Sequence, residues 1–403
     1  MNGTELIRGP NKATVLNLVR QAQSISRTQI ARQTGLSRSA VSTIVAELLE
    51  AGWIVECGSG KSSGGRRPIL LAHRPQAGYV LGLDVGASHL SALVTDLDAH
   101  VLAEVRRAFD VSRGPGVGLP AIASIGEDVL AQGDVDRQQL LAVGIAVPGP
   151  LDYQRGTVIA PPIMPGWDGF PIRSHLEVRF GVPVYLDNDA NLGALGELRY
   201  GAGRGLQNLA FIKVATGIGC GIVIDGRIYH GQTGAAGEIG HVVVDPDGPP
   251  CTCGGFGCLE AMAGGPAIAA RAGLAIQAGQ STILRTGQAN GNLSARDVAE
   301  AARRGDPLSR QLFADAGRLI GLAAADVINL LNPGRLIIGG GVSQAGDLIL
   351  ETLRETVDRR TVRAAIENVD VVQSELGVRS TALGAVALAL QETFKSSAVD
   401  FGF

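Results

Sequence analysis

Four side chains with soft donor atoms occur close together in the second half of the chain. Three cysteines fall within eight residues, and one histidine precedes the first of them by ten residues. They are His241, Cys251, Cys253 and Cys258. Three thiolates and one imidazole form the Cys₃His ligand set of a closed, tetrahedral structural Zn²⁺ site. The alternative is a group of reduced, buried cysteines, because the C-x-C start is tighter than the usual ligand spacing.

Three glycine-rich loops each follow an apolar, strand-like run, and such loops present backbone N–H groups to phosphates. They span residues 84–88, 215–221 and 339–341. The first two stand in strand–turn–strand hairpins about 130 residues apart, which indicates an internal duplication. A single loop of this kind is more often a tight turn than a nucleotide site. Three of them predict an α/β fold with two lobes around a cleft.

The charge is divided unevenly along the chain. Residues 1–74 carry ten Lys or Arg and four Asp or Glu, for a net charge of +6. The remaining residues carry 25 basic and 34 acidic side chains, for a net charge of −9. A small basic module joined to a larger acidic body favours a polyanionic partner for the module.

Three short helices are predicted within this basic module. The second opens at Ser26, with Gln29 at the spacing of a capping box, and ends near Gly35. The third begins after Ser37 and runs to about Glu50, with apolar residues along one face. Two helices joined by a short glycine-containing turn are typical of a helix-turn-helix. The exposed start of the third helix would then enter a DNA major groove with Arg38, Ser39, Ser42 and Thr43.

A basic loop between two strand-like runs completes the module. Residues 53–57 and 69–72 are apolar and strand-like, and the loop 58–68 between them is rich in Gly and Ser. Arg66 and Arg67 of this loop would lie along phosphates or enter a narrow minor groove. A plain Gly/Ser linker is the alternative. We predict a winged helix-turn-helix over residues 1–74 that binds double-stranded DNA.

Composition excludes several classes of protein. A hydrophobic share of 45% over 403 residues is too high for a disordered chain. Apolar runs fall short of the ~18 residues that a membrane span needs, and residues 1–10 lack a signal-peptide core. We expect a cytoplasmic protein with no membrane partner, in which Cys57 and Cys220 are packing residues. The 56 glycines, about twice the usual share, are expected in loops and where the lobes pack closely.

The order and spacing of seven motifs resemble those of the ROK family (repressor, open reading frame, kinase), and of its members with an N-terminal winged helix. The motifs lie at residues 84–88, 147–150, 188–197, 216–219, 238–241, 251–260 and 339–341. The resemblance implies two ribonuclease-H-like lobes, an actin/hexokinase-like fold of the ATPase type, that close on a sugar. The smaller α/β lobe would comprise residues 76–190 and 381–403. The larger, residues 191–380, would hold the zinc site, which matches the family.

The resemblance also implies roles for residues of the cleft. Sugar hydroxyls would contact Gly149, Asn188, Asp189, Glu238, His241 and Glu260. The phosphates of ATP, with Mg²⁺, would lie against Asp84, Gly86, Ser88, Thr216, Gly217, Gly219, Gly339 and Gly340 if the chain is an active kinase. Asp189 would then be the catalytic base. The loops depart from the kinase pattern, with Ala87 for a glycine, and Ala215 and Cys220 where glycines are common.

Two functions follow from the resemblance. The first is a sugar-responsive transcriptional regulator, a repressor, that binds a near-palindromic operator as a homodimer or a dimer of dimers. The alternative is an active ATP-dependent sugar kinase with an accessory DNA-binding domain. A regulator that senses a phosphotransfer protein instead of a free sugar is a third hypothesis.

Overall fold

The N-terminal module is a three-helix unit with a small antiparallel sheet. The computed structural model describes residues 9–60, 67–153, 155–161, 163–286 and 293–395. The helices of the module are α1 (Pro10–Gln21), α2 (Arg27–Thr34) and α3 (Arg38–Glu50). The strands are β1 (Ile25–Ser26), β2 (Ile54–Ser59) and β3 (Ile69–His73), and their order in the sheet is β1-β3-β2.

Local sequence features determine where the helices of this module begin and end. Ser26 and Gln29 form the capping box at the start of α2, and Gly35 ends that helix with a φ of 72°. The hydroxyl of Ser37 accepts a hydrogen bond from the backbone N–H of Ala40 at the start of α3. These features and the strands on either side of the loop confirm the predicted winged helix-turn-helix.

The first lobe is built on a five-stranded mixed sheet. Its strands are β4 (Tyr79–Val85), β5 (His89–Thr95), β6 (Val101–Ala108), β7 (Leu140–Val147) and β10 (Val184–Asn188). A separate hairpin pairs β8 (Leu151–Asp152) with β9 (Thr157–Val158). The helices α4 (Pro115–Gln132) and α5 (Ile172–Phe180) belong to the same lobe. The sheet order is β10-β7-β4-β5-β6, and all eight residues of β7 are buried.

The second lobe repeats this topology. Its strands are β11 (Leu209–Val214), β12 (Ile218–Ile224), β13 (Arg227–Ile228), β14 (Arg335–Gly339) and β15 (Asp370–Gln373), in the order β13-β12-β11-β14-β15. In each sheet the central strand pairs antiparallel with the next strand in sequence and parallel with a later one. The predicted duplication and the two-lobed α/β fold are therefore confirmed.

Eight further helices accompany the second sheet or join the lobes in the described parts of the chain. They are α6 (Asp189–Tyr200), α7 (Leu259–Ala263), α8 (Gly265–Gln277), α9 (Ala295–Arg303), α10 (Pro307–Leu331), α11 (Asp347–Arg360), α12 (Arg363–Ile366) and α13 (Ser380–Thr393). Among all the helices described, none has the length and apolar character to cross a lipid bilayer.

A close helix crossing joins the two lobes. Helix α13 packs on β4 and β7 of the first sheet, and α6 packs on β11 and β12 of the second. The two helices also pack against each other, and glycine permits the close approach. A Cβ atom at Gly384 of α13 would overlap the carbonyl oxygen of Leu192 in α6, and one at Gly144 of β7 would overlap that of Ala385. Part of the glycine excess is therefore explained by packing between and within the lobes.

The C-terminal end of α13 contacts the N-terminal module. Phe394 is buried, and its carbonyl oxygen accepts a hydrogen bond of 2.7 Å from the Asn17 side chain. The Arg20 guanidinium lies 3.9 Å from the centre of the Phe394 ring, and Trp53 meets the same ring edge-on. Apolar residues of the module and of the first lobe thus share one continuous core.

We expect Gly384→Ala to destabilise the protein by ~1–3 kcal/mol, because α6 and α13 must move apart to accommodate the added methyl group. Gly273→Ala in α8 is the matched control, since a Cβ there meets no atom within 4 Å. That control should be neutral or stabilising by up to ~1 kcal/mol. Urea unfolding of both variants measures the difference. A Gly384→Ala protein as stable as the wild type would show that the crossing is not tightly packed.

Candidate functional site

A large cleft opens between the two sheets. Its volume is about 1570 Å³, and it is lined by the loops that follow the central strands of both lobes. The cleft brings together most of the side chains and glycines singled out from the sequence, namely Asp84, Gly86, Ser88, Gly149, Asn188, Asp189, Thr216, Gly217, Gly219, Glu238, His241, Glu260 and Gly340. Gly339 is the exception, because it ends β14 against the Phe211 ring, and Gly341 lines the cleft instead.

The junction of β10 and α6 forms one wall of this cleft. The Asn188 side-chain oxygen caps α6 by accepting hydrogen bonds from the backbone N–H groups of Ala190 and Asn191, at 2.8 and 3.3 Å. Its amide nitrogen donates to the carbonyl oxygen of Gly149 at 3.1 Å. Asn188 therefore fixes the position of the Gly149 loop relative to the first turn of α6, where Asp189 begins the helix.

Asp189 forms a partly buried ion pair with a lysine that sequence reasoning missed. The Lys213 Nζ atom lies 2.7 Å from Asp189 Oδ2, and the two side chains are 11% and 18% exposed. Burial lowers the pKa of Lys213, but the carboxylates of Asp189 and Asp84 outweigh burial and raise it above the ordinary value. The sequence does contain a signal, since Lys213 interrupts the otherwise apolar strand β11.

Asp84 is buried at the end of β4 and contacts a histidine. His89 Nε2 lies 3.1 Å from Asp84 Oδ2. Burial raises the pKa of Asp84, but Lys213 and His89 outweigh burial and hold the pKa below its ordinary value. Asp84 is therefore a carboxylate at neutral pH, held at the bottom of the first glycine loop.

Two glutamates line the opposite side of the cleft. Glu260 Oε2 accepts a hydrogen bond of 3.0 Å from the backbone N–H of Ile218, which ties α7 to the second glycine loop. Glu238 Oε2 lies 3.9 Å from His241 Nε2. Burial raises the pKa of Glu238 above its ordinary value. Both carboxyl groups line the cleft and offer hydrogen-bond acceptors to its interior.

A second polar network, also missed from the sequence, lies behind the β10–α6 junction. The Tyr153 hydroxyl donates to Asp187 Oδ1 at 3.0 Å, and His230 Nε2 lies 2.9 Å from Asp187 Oδ2. The Asn191 amide donates to the same Oδ1 atom at 3.1 Å. Burial and the Asp187 charge raise the pKa of Tyr153, so the phenol stays protonated and donates. The network joins the first lobe, through Tyr153 and Asp187, to His230 after the second sheet's edge strand.

The four predicted metal ligands form one cluster. One donor atom from each of His241, Cys251, Cys253 and Cys258 lies within 4.8 Å of all the others. The Cys251 sulfur lies 3.6 Å from His241 Nδ1, and the sulfurs of Cys253 and Cys258 lie 3.7 Å apart. These residues could hold a metal ion. Because His241 turns Nδ1 to the cluster and Nε2 to Glu238, a metal held there would fix the ring beside the cleft.

The side chains predicted to contact DNA lie on the surface of the module. Arg38, Ser39, Ser42 and Thr43 are exposed on the first turns of α3, and Arg67 is exposed before β3. Arg66 lies outside the described residues. Cys220 is buried as expected, but the expectation for Cys57 was wrong, because this residue is exposed on β2 of the wing. Only one residue of β2 is buried, so a side chain on that strand has little to pack against.

Comparison with known sequences identifies two matching family models and several close relatives. The ROK family model matches residues 80–392, and a MarR family model matches residues 9–63. The xylose repressor of Caldicellulosiruptor bescii is 31% identical over 97% of this chain and 98% of the repressor. The DNA-binding transcriptional dual regulator NagC of Escherichia coli K12 is also 31% identical, over 96% of this chain and 94% of NagC.

Solved structures extend the similarity to the whole architecture. A ROK family transcriptional regulator, described as a homologue of the E. coli MLC protein, matches with a TM-score of 0.80 at 28% identity, over 95% of this chain and 96% of that one. A ROK family glucokinase from Streptomyces griseus, solved with glucose and AMPPNP, matches with a TM-score of 0.70 at 33% identity, over 78% of this chain and 100% of the kinase. With a matching model across both lobes and similar regulators along nearly its full length, the chain belongs to the ROK family.

Proposed function

We propose that the protein is a sugar-responsive transcriptional repressor that acts in the cytoplasm. The observation that carries this proposal is the position of α13, because one helix contacts both the cleft and the DNA-binding module. Near its start, the Thr381 hydroxyl donates to the Asp189 carbonyl oxygen at 3.3 Å. After its end, Phe394 packs against Asn17, Arg20 and Trp53 of the module. A shift of α13 at the cleft would therefore also shift its contacts with the DNA-binding module.

Closure of the lobes on a sugar supplies such a movement. In this proposal the smaller lobe comprises residues 76–190 and the segment from residue 381 onward, of which residues 396–403 lie outside the described residues, and the larger lobe comprises residues 191–380. When residues of both lobes bind one sugar, the helices α6 and α13 shift at their crossing, and the module shifts with α13. In a homodimer this displacement changes the spacing of the two recognition helices on a near-palindromic operator. By linkage, the sugar and the operator change each other's affinity by the same factor.

The chemistry of the cleft suits a sugar. Carbohydrate hydroxyls are bound by carboxylates and amides that accept and donate paired hydrogen bonds. Asp189, Glu238 and Glu260 supply acceptors, and Asn188 holds the Gly149 loop against the ligand. The similar proteins include regulators named for xylose and for N-acetylglucosamine and a kinase solved with glucose, so the effector belongs among such monosaccharides.

We further propose that the metal of the cluster is a structural Zn²⁺. Three thiolates with one imidazole favour Zn²⁺ over harder cations, and four protein ligands leave no open position for catalysis. The metal supplies a rigid cross-link between the loop of His241 and the start of α7. That cross-link holds Glu238 and Glu260 at the cleft, since each lies within three residues of a ligand.

An active sugar kinase is the second candidate function. Kinase activity is favoured by Asp189, which lies in the position of the family's catalytic base. It is also favoured by the glycines of the first two loops. The similarity to a glucokinase over the two lobes favours it as well. Catalysis would require that Asp189 take a proton from the attacking hydroxyl while Mg²⁺ and the loops hold ATP.

Sugar binding should change operator affinity by roughly 5–150-fold, the usual range of coupling between two sites. A gel-shift titration with DNA that the protein enriches from its genome, run with xylose, glucose and N-acetylglucosamine, measures this effect. Glu238→Gln should lose the response but keep its sugar-free affinity for DNA. Glu355→Gln, on the exposed surface of α11, is the control. If no monosaccharide in an extended panel changes the operator affinity, the coupling is disproved.

Replacing Arg38 should weaken operator binding by ~1–3 kcal/mol. If Arg38 contacts a base edge, the loss is confined to the operator; if it contacts a phosphate, the loss is uniform and the salt dependence decreases. Competition binding of Arg38→Ala at several salt concentrations distinguishes the two. Arg363→Ala, whose side chain is 91% exposed on α12, is the matched control. Equal operator affinity of Arg38→Ala and the wild type would show that Arg38 does not contact the operator.

Loss of one metal ligand should affect both stability and sugar binding. We expect Cys253→Ser to contain less Zn²⁺, to unfold at a temperature roughly 2–3 °C lower for a loss of about 2 kcal/mol, and to bind its sugar more weakly. Metal analysis, thermal unfolding and sugar titration measure the three effects. Cys57→Ser, at the exposed cysteine of the wing, should change none of them. A folded Cys253→Ser protein with unchanged sugar affinity contradicts the proposed link between metal and cleft.

A further inference from the structure

Lys213 occupies an unusual place for a lysine. It lies on the central strand β11, where its Cα atom is paired with Gly219 on one side and Gly339 on the other. Its side chain lines the cleft and is only 11% exposed. The ammonium group reaches the first turn of α6, where it lies 2.7 Å from Asp189 Oδ2. A buried lysine at this position needs compensating negative charge.

Two carboxylates provide that charge. Asp189 Oδ2 accepts a hydrogen bond of 2.7 Å from the ammonium group. Asp84 acts on Lys213 through its charge, and Lys213 acts on Asp84 in return. Within the described parts of the chain, the buried Oδ1 atom of Asp84 has no hydrogen-bond partner. The negative charge of Asp84 is thus offset by the charge of Lys213 and by His89, whose Nε2 atom lies 3.1 Å from the other carboxylate oxygen.

The same two carboxylates would be suitable ligands for a divalent cation. Carboxylate oxygens are the ligands that Mg²⁺ prefers, and phosphoryl transfer requires the cation beside the phosphates that glycine loops hold. It also requires a free base to take the proton of the attacking hydroxyl. In this chain the ammonium group is already paired with Asp189, and its hydrogen bond occupies one oxygen of that carboxylate. Its charge also acts on Asp84.

We infer that the Lys213 ammonium group supplies the positive charge that a divalent cation would otherwise supply to Asp189 and Asp84, so that the cleft binds a sugar but does not hold Mg²⁺–ATP for phosphoryl transfer. Lys213 is a positioning residue in this scheme. It holds Asp189 in one orientation, and among the described contacts Oδ1 of Asp189 stays available to a sugar hydroxyl. The inference deepens the proposed function, because it concerns the same cleft and explains why binding is not followed by turnover.

Binding of Mn²⁺, which resembles Mg²⁺ in its ligands, tests this inference without knowledge of the sugar. Mn²⁺ is titrated into the zinc-loaded, full-length protein and followed by electron paramagnetic resonance. The wild type and Lys213→Arg should bind no Mn²⁺ in the cleft. Lys213→Met should gain one site, with an affinity about tenfold or more above any wild-type binding, the effect of removing one like charge. Adding Asp84→Asn to Lys213→Met should abolish that site.

Two results would overturn the inference. In the first, the wild type binds Mn²⁺ and Asp84→Asn abolishes that binding, which would show that Lys213 does not exclude the cation. This result does not depend on whether Lys213→Met folds. In the second, the wild type releases ADP from ATP in the presence of a monosaccharide, and Asp189→Asn abolishes this release. If no sugar changes operator affinity while Lys213→Met gains the Mn²⁺ site, the proposed function fails and the inference about Lys213 stands.

Discussion

The crossing of α6 and α13 is the contact on which the rest of the structure depends. Each helix covers one of the two repeated sheets, and the sheets can face each other only if the helices approach closely. Gly384 meets the backbone of Leu192 at a distance that leaves no room for a side chain. The cleft lies above this crossing, because α6 begins at Asp189 and α13 begins beside it at Ser380. Packing of small residues thus sets the geometry of the polar site.

The crossing also explains how a cleft can influence a module far along the chain. Interfaces that are closely packed shift between discrete arrangements and do not deform continuously. Helix α13 is 14 residues long, roughly 20 Å, and its two ends contact different functional parts. The buried carboxylate of Glu197 accepts hydrogen bonds from Ser374 and Ser380, at 2.5 and 2.8 Å, and so anchors the start of α13 to α6. In the proposed function, this anchor would pass a rotation of α6 to the end of α13 that holds Phe394.

Local patterns in the sequence predicted the helices and strands. The ion pairs in the cleft were seen only in the structure. The caps at Ser26 and Ser37 are read from neighbouring residues, because a cap satisfies backbone groups within three positions. The metal cluster was predictable for a similar reason, since three of its ligands are near in sequence. The pair of Lys213 with Asp189 joins residues on different elements, and its existence depends on how α6 docks on β11. The exposure of Cys57 likewise depends on what covers the wing.

The retention of Asp189 in a chain that carries Lys213 fits the physics of a sensor. Recognition of a hydroxyl group needs a fixed acceptor, and a carboxylate held by an ammonium group is a better-oriented acceptor than a free one. Turnover needs the opposite, a base free to accept a proton. Coupling between sugar and operator is an equilibrium relation, and it reports a sugar concentration only if the bound sugar is released unchanged. If the proposed role of Lys213 is right, this single side chain would separate recognition from reaction within a fold that serves both.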